Sequence, residues 1–247
     1  MRSGDLAASI CDVVARFELV LVSSEEELDE VFRIRHQVYC VERGFEPSVN
    51  GRESDEYDSE SVHALVRHRT SGEALGTVRL VVPSLKARCP RLPMIDVCGI
   101  GVLDRAPLCG IAEISRFALS KRQRDLMGVS DSLLRLFLMR GIVALSGQLR
   151  LSHWCALMEP SLLRLLRCSA IHFQPAGTLV EHHGLRQPSV ASIAEVLERM
   201  EHDQPLIWEF VTDGGTLWTD RQIPIMLDLR DRRLAGHASL SNSLALL

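Results

Sequence analysis

The chain has little that would tie it to a membrane, a metal or a nucleic acid. No apolar run approaches the roughly 18 residues that span a bilayer. The first residues, MRSGDLAASICDVVARFE, carry Asp5, Asp12 and Arg16 and offer no clean apolar core for a signal peptide. The seven cysteines (Cys11, Cys40, Cys89, Cys98, Cys109, Cys155 and Cys168) are odd in number and contain no C-x-x-C pair. That pattern predicts free thiols and a cytoplasmic location. Glu181, His182 and His183 are neighbours in sequence, but adjacent strand residues point apart, so no metal site is expected there. The net charge of −4 excludes a general nucleic-acid binder and leaves room only for a local basic patch. Internal repeats and low-complexity segments are absent.

What is present suits one large α/β (α+β) domain. The 247 residues are 46% hydrophobic and 24% charged, enough for a sizeable core. FELVLV (17–22) reads as a strand. Ser23 and Ser24, followed by Glu25 to Glu27, start a helix that runs to about Tyr39. Residues 43–60 are polar with Pro and Gly and predict a loop. SVHALVRH (61–68) and ALGTVRLVV (74–82), separated by RTSGE, read as a hairpin. Residues 83–110 predict a long irregular connection. A strand around EISRFALS (113–120) follows, then a helix near 129–146 and a strand over 150–159. Pro160 opens the next helix. IHFQP and TLVEHH read as short strands, 190–201 as a helix, and PLIWEF (205–210) as a last strand. The expected division is an extension over 1–16, a domain over 17–211, and a peripheral or partly disordered tail over 212–247.

Within these elements some charges look misplaced. Arg35 falls in the apolar stripe of the first helix, Arg79 lies between Val78 and Leu80, and Glu113 and Arg116 occupy an otherwise apolar strand. A buried guanidinium without a partner costs several kcal/mol and does not discharge by losing its proton. Acidic partners must therefore be near: Glu113, with Asp55 and Asp58 from the preceding loop, would balance Arg35, Arg79 and Arg116. Such a cluster could staple helix and loop to the sheet, shape a pocket, or do both. Glu113 is the strongest candidate for chemistry, because a carboxylate in apolar surroundings has a raised pKa and can act as a base.

RIRHQVYCVERGF (33–45), DEYD (55–58), GTVRLV (76–81) and EISRFALS (113–120) together resemble the autoinducer-synthase and N-acyl amino acid synthase branch of the GCN5-related N-acyltransferases (GNAT). VYCVERGFE, VHALVRH, HWCALMEPSLLRLLR and GLRQPSVASIAEVL are most like the acyltransferases of bacterial PEP-CTERM/exosortase systems. The resemblance covers about residues 17–210. It implies a GNAT-like, mixed but mainly antiparallel twisted sheet flanked by helices, with a splay between two central strands. Arg35, Tyr39, Phe45, Asp55, Asp58, Arg79, Glu113 and Arg116 match the branch's charged and aromatic signature. Tyr39 stands where lactone synthases usually have phenylalanine, and Phe45 where they usually have tryptophan. The superfamily's phosphate-binding turn is approximated by RDLMGVS (124–130), with one residue too many.

By that resemblance, the strand at Glu113 carries a β-bulge and parts from the strand at 150–159. The implied reaction is direct acyl transfer from an acyl carrier protein (phosphopantetheine) or acyl-CoA thioester to a small-molecule amine, with no permanently bound cofactor. A backbone N–H near Phe117 or Ala118 would polarise the carbonyl, and Glu113 would take the amine proton. Lys121, Arg122, Arg124 and Gly128 would meet the donor phosphate or an acidic carrier surface; a solvated basic turn explains the first three as well. Cys155, near the splay, reads as a packing thiol. The alternatives are a lactone-forming synthase using S-adenosylmethionine, an acetyl-CoA acetyltransferase, and a non-catalytic acyl-binding module. The sequence leaves the acceptor, the chain length and the oligomeric state open.

Overall fold

A computed structural model describes residues 3–45, 50–84, 90–104, 106–107 and 109–218. The elements are α1 (Ser3–Arg16), β1 (Phe17–Leu21), α2 (Glu25–Arg35), β2 (Ser61–His68), β3 (Ala74–Val81), α3 (Pro93–Cys98), β4 (Ile111–Leu119), α4 (Lys121–Met127), α5 (Asp131–Leu149), β5 (His153–Met158), α6 (Pro160–Arg167), β6 (Gln174–Pro175), β7 (Val180–Glu181), β8 (Leu185–Ser192), α7 (Ile193–Asp203) and α8 (Pro205–Thr212). The strands form one open sheet in the order β1-β2-β3-β4-β5-β8-β6, with β7 also on β8. Every pairing is antiparallel except β4 with β5. This is the expected GNAT-like mixed sheet.

Alternation of side chains gives the sheet two different faces. Ala64, Val66, Val78, Leu80, Ala112, Trp154 and Ala156 join the main core, to which α5 contributes Leu134, Leu138 and Ile142. Trp154 is fully buried, and its indole N–H donates to Ser146 Oγ of α5 at 2.8 Å. Helix α5 is apolar and long enough to cross a membrane by composition, but 72% of that apolar window is buried inside the fold. The opposite face carries Val81, Ile111 and Cys155, covered by Leu92, Met94, Val102 and Leu103.

Helix α2 begins where the sequence says it should. Ser24 accepts from the Glu27 amide, and Glu27 reaches back to the Ser24 amide, a reciprocal cap. The helix does not stop at Tyr39. It widens after Arg35 into a π-helical segment, His36–Glu42, which carries Tyr39 and Glu42 to the sheet. The stretch expected as an extension holds α1, with Val13 buried and Leu6 and Ile10 packed on the main core.

Other expectations are corrected. PLIWEF is not a strand: it lies in α8, with Pro205 in the first turn and Ile207, Phe210 and Val211 buried at helical spacing. A six-residue apolar run does not distinguish the two periods by itself. LRQPSVAS, which the sequence pattern leaves unassigned up to 190, is β8: residues 187–192 pair with β5, and the helix expected from 190 begins only at Ile193. Pro188 hides the strand. The Pro188 carbonyl accepts from Ala176, so the missing N–H also points away from β5 and no β5 ladder bond is lost. Residues 83–110 are less irregular than expected, holding α3 and a 3-10 turn at Ile100–Leu103. KRQRDLM is itself a helix, α4, ended by Gly128 in the left-handed region. Of the expected tail, residues 219–247 lie outside the described residues. Trp218, just before them, donates to the Leu151 carbonyl at 3.4 Å.

Gly141 lets α5 lie against β2: a Cβ there would sit 2.6 Å from Ala64 Cβ and 3.0 Å from a Leu19 methyl carbon. Gly141→Val is expected to cost about 1–3 kcal/mol through overpacking, measured as a lower urea midpoint.

Candidate active site

The misplaced charges meet. Arg35, Arg79, Glu53 and Asp58 are buried, with Arg35 at 0% exposure and Arg79 at 1%. Asp58 Oδ1 is shared: Arg35 Nη1 donates to it at 2.6 Å and Arg79 Nη1 at 2.8 Å. Arg35 Nε donates to Glu53. Arg79 Nη1 also donates to Asp55 Oδ1 at 2.5 Å, and Arg79 Nε to Ser115 Oγ at 2.9 Å. Arg116 closes the network, with Nε 3.0 Å from Glu53 Oε1 and Nη2 3.0 Å from Asp55 Oδ2. Burial alone would raise the pKa of Asp58, but Arg35 and Arg79 outweigh it and hold the group at about 2.

Local structure aims each group. Asp55 and Asp58 cap a short 3-10 turn reciprocally: Asp58 Oδ2 accepts from the Asp55 amide at 2.8 Å, and Asp55 Oδ1 from the Tyr57 amide at 2.9 Å. A bulge aims Arg116. Thr77 pairs with Ala118 and Arg79 with Ser115, so Arg116 and Phe117 together oppose one β3 residue. Arg116 has φ +48, a conformation that a β-strand does not use. The bulge turns its side chain to the face that carries Arg79 and Ser115. Its guanidinium also lies 5.5 Å from the centre of the Tyr39 ring.

One assignment changes. Glu113 was expected among the carboxylates that balance the arginines, and Glu53 takes that place. Glu53 lies in the same acidic loop, and nothing in its local sequence separates it from Glu56 or Glu60. Glu113 stands apart: it is 2% exposed and accepts from the Met94 amide at 2.7 Å. Burial lifts its pKa to about 8, against the pull of that amide and of Arg79. Phe45 meets Arg43 and His183 among the described contacts, and none of the ion network. It stacks on His183 with centroids 5.7 Å apart.

The two arms of the sheet part just beyond Glu113. Strand β4 pairs with β5 only over Ile111, Ala112 and Glu113, opposite His153, Trp154 and Cys155. Beyond that point β4 follows β3 to Leu119, and β5 follows β8 to Met158. Glu113 therefore marks the foot of a V-shaped cleft, and the Arg116–Phe117 bulge lies on one arm. Cys155 is fully buried at the same foot, and its thiol is pushed well up by burial and by nearby Glu113. It is a packing group.

The expected donor turn is largely engaged by the chain itself. Glu42 accepts from Ser120 Oγ at 2.7 Å, the Lys121 amide at 2.9 Å and the Arg122 amide at 3.3 Å. Burial pushes the Glu42 carboxyl up, but these donors outweigh it and keep it below the usual carboxylate range. Arg124 is paired with Asp131 at the start of α5, and Gly128 caps α4. Lys121 and Arg122 remain exposed. Sequence reasoning missed Glu42, since a lone glutamate beside an arginine carries no signal. It also missed His63, which is 3% exposed and 3.8 Å from Asp58 Oδ1, with its pKa lowered by burial to about 3. Among the described residues no cluster of metal-binding type occurs.

Residues 34–131 match the sequence model of the acetyltransferase (GNAT) domain. No curated protein matches the chain in sequence. Among solved structures, the chain resembles BjaI, a CoA-dependent acyl-homoserine lactone synthase solved with SAM and isopentyl-CoA. The TM-score is 0.59 at 19% identity, over 89% of this chain and 99% of that one. It also resembles MesI, another CoA-dependent acyl-homoserine lactone synthase, with TM-score 0.58 and 21% identity over 75% and 94% of the two chains. FeeM, an N-acyl amino acid synthase from uncultured soil microbes, aligns with TM-score 0.53 and 15% identity over 74% and 94%. Residues 34–131 thus match a GNAT domain, and the chain has the fold of the solved acyl-homoserine lactone and N-acyl amino acid synthases, splayed sheet included.

Asp58→Asn would leave two buried guanidiniums short of charge, and a cost of about 3–5 kcal/mol is expected near neutral pH. Asp58 has its folded pKa depressed, so its contribution is present above about pH 3.8 and disappears as pH falls through about 2. Urea titrations across that window should show the gap between variant and parent closing in acid.

Proposed function

We propose that the chain is an N-acyltransferase that moves a fatty acyl group from a carrier-protein thioester to the amine of an amino acid or related small molecule. The observation that carries this is the cleft: a V between β4 and β5, a bulge on one arm, and a buried carboxyl at its foot that bonds a backbone amide and no arginine among the described contacts. The thioester arm enters between the strands. The backbone N–H of Phe117 or Ala118, at the bulge, is the proposed donor to the developing oxyanion. The amine nitrogen bonds to the carbonyl carbon, Glu113 receives the amine proton, the C–S bond breaks, and the departing thiolate takes that proton from Glu113 to leave as the thiol. Arg116, Tyr39 and Asp55, at the more open side of the ion network, are the proposed acceptor contacts; Arg35, Arg79, Glu53 and Asp58 hold them in place. The likeness of VYCVERGFE and HWCALMEPSLLRLLR to exosortase-associated acyltransferases belongs to the same reading, as does a bacterial, cytoplasmic setting.

The proposed preference for a carrier thioester over CoA rests on Glu42, which occupies the amides where a CoA diphosphate would bind, while the Lys121 and Arg122 side chains stay exposed to an acidic carrier surface. The Glu42 carboxylate already takes the Lys121 and Arg122 amides at the expected donor turn, and Asp131 holds Arg124. A diphosphate brought there would meet two carboxylates. Phe45 lies outside the network and against His183, which withdraws one aromatic wall from an adenosyl acceptor and weighs against a lactone-forming reaction.

With a pKa of about 8, Glu113 is mostly neutral at pH 7 and must ionise before it can accept a proton. With decanoyl carrier protein and a panel of amino acids, mass spectrometry should detect N-decanoyl products. Their kcat/KM should rise with pH and level off above about 8. Glu113→Gln should lower it about 100-fold or more and abolish that ionisation. Absence of product across the panel would favour the binding module, and formation of methylthioadenosine with a lactone would favour the S-adenosylmethionine route. In the same assay Glu42→Ala should raise kcat/KM for decanoyl-CoA several-fold relative to the carrier thioester. An unchanged ratio would remove Glu42 from donor choice.

A further inference from the structure

The two arms of the cleft share no backbone pairing beyond Glu113 and Cys155, yet its open end is bridged. The bridge is the three-residue strap that follows the π-helical segment, Arg43 to Phe45. At its root the strap is firmly fixed. The Arg43 amide donates to the Val38 carbonyl at 3.0 Å and the Phe45 amide to the Tyr39 carbonyl at 2.8 Å. Glu42, one residue earlier, is bonded to Ser120, Lys121 and Arg122 on the β4 side.

Among the described residues, the strap reaches the β5 side through the side chains of Arg43 and Phe45. Phe45 stacks on His183 at an interplanar angle of 29°. Arg43 lies over the Phe45 ring at 5.6 Å and reaches Glu159, the residue after β5, at 3.9 Å. Glu159 is fixed in turn by Arg186 of β8 at 2.5 Å. Arg43 and Glu159 are both nearly half exposed, and Phe45 is 37% exposed. Water and salt weaken such contacts far more than the buried bonds at the root. Backbone bonds hold the strap to the π-helical segment, so the side-chain contacts to the β5 side are the link that parts first.

We propose that the Phe45–His183 stack, backed by the Arg43–Glu159 pair, is a latch across the mouth of the cleft, and that the donor's thioester arm enters when it parts. Phe45 and His183 are thus positioning residues that set access to the foot of the cleft. This proposal rests on the acyl-transfer reading for the identity of what enters, but not for the latch itself. Both arms lead to the foot where Cys155 is buried, on the sheet face that also carries Glu113, so the thiol reports opening without any turnover.

The test uses the full chain. Iodoacetamide is added to the free protein, and alkylation of Cys155 is followed by peptide mass spectrometry. Phe45→Ala and His183→Ala should each speed Cys155 alkylation several-fold, whereas Phe45→Trp, which keeps a stacking ring, should stay within about twofold of the parent. High salt should speed the parent and leave Phe45→Ala nearly unchanged. An unchanged rate in Phe45→Ala, or an equal rise in Phe45→Trp, overturns the latch. The entry route is read separately by stopped-flow association of a fluorescent decanoyl-pantetheine, which should be several-fold faster in Phe45→Ala; equal association rates overturn it. A protein that alkylates as expected and binds the probe, but forms no N-acyl product, would sink the proposed reaction and leave the latch standing.

Discussion

One oxygen organises the site. Asp58 Oδ1 accepts from two fully buried guanidiniums, and those arginines come from α2 and from β3. Arginine does not neutralise itself in a dry interior, so helix, strand and the acidic loop between them must come together or the fold carries an uncompensated charge. The arginines Arg35, Arg79 and Arg116 are matched by Glu53, Asp55 and Asp58, and the neutral ring of His63 fills the remaining side. The network therefore fixes α2 against the sheet. The π-helical segment that continues α2 then carries Tyr39, Glu42 and the strap to the edge of the cleft.

Carboxyl groups a few residues or one strand apart are put to opposite uses by their surroundings. Asp58, among guanidiniums, is held ionised with a pKa of about 2. Glu113, against apolar side chains and with one backbone amide as its partner, is held mostly neutral with a pKa of about 8. Burial is common to both; the charges within reach differ. A group that titrates near neutrality and lies beside a gap in a sheet is suited to move a proton, whereas one clamped between two arginines is suited to hold a shape. Glu42 is a third case. It is a carboxylate lodged where an anionic ligand would otherwise find amide donors, and for that reason it bears on donor choice.

The strongly periodic elements and the need for charge pairing were legible in the sequence. The Ser24 cap, the hairpin over 61–81 and the strand at Glu113 followed from local pattern, and the arginines inside apolar runs announced a buried network. The errors came where local pattern is silent. PLIWEF has no period long enough to choose between strand and helix, and its packing on α5 and α7 decides for the helix. Pro188 masks β8 because a sequence does not say which edge of a strand will lack a partner. Glu53 could not be told from its acidic neighbours, and the stack of Phe45 on His183 joins segments remote in sequence.

The sequence by itself determined that arginines lodged in apolar runs need carboxylate partners, since their places in the 3.6-residue and two-residue periods are local facts and guanidinium chemistry is independent of fold. Only the tertiary structure decided which carboxylates these are and which one is left over. That choice turns on the φ of one residue, Arg116 at +48, and on where β4 leaves β5. Both are set by packing between segments remote in the chain, and no local pattern of residues encodes them.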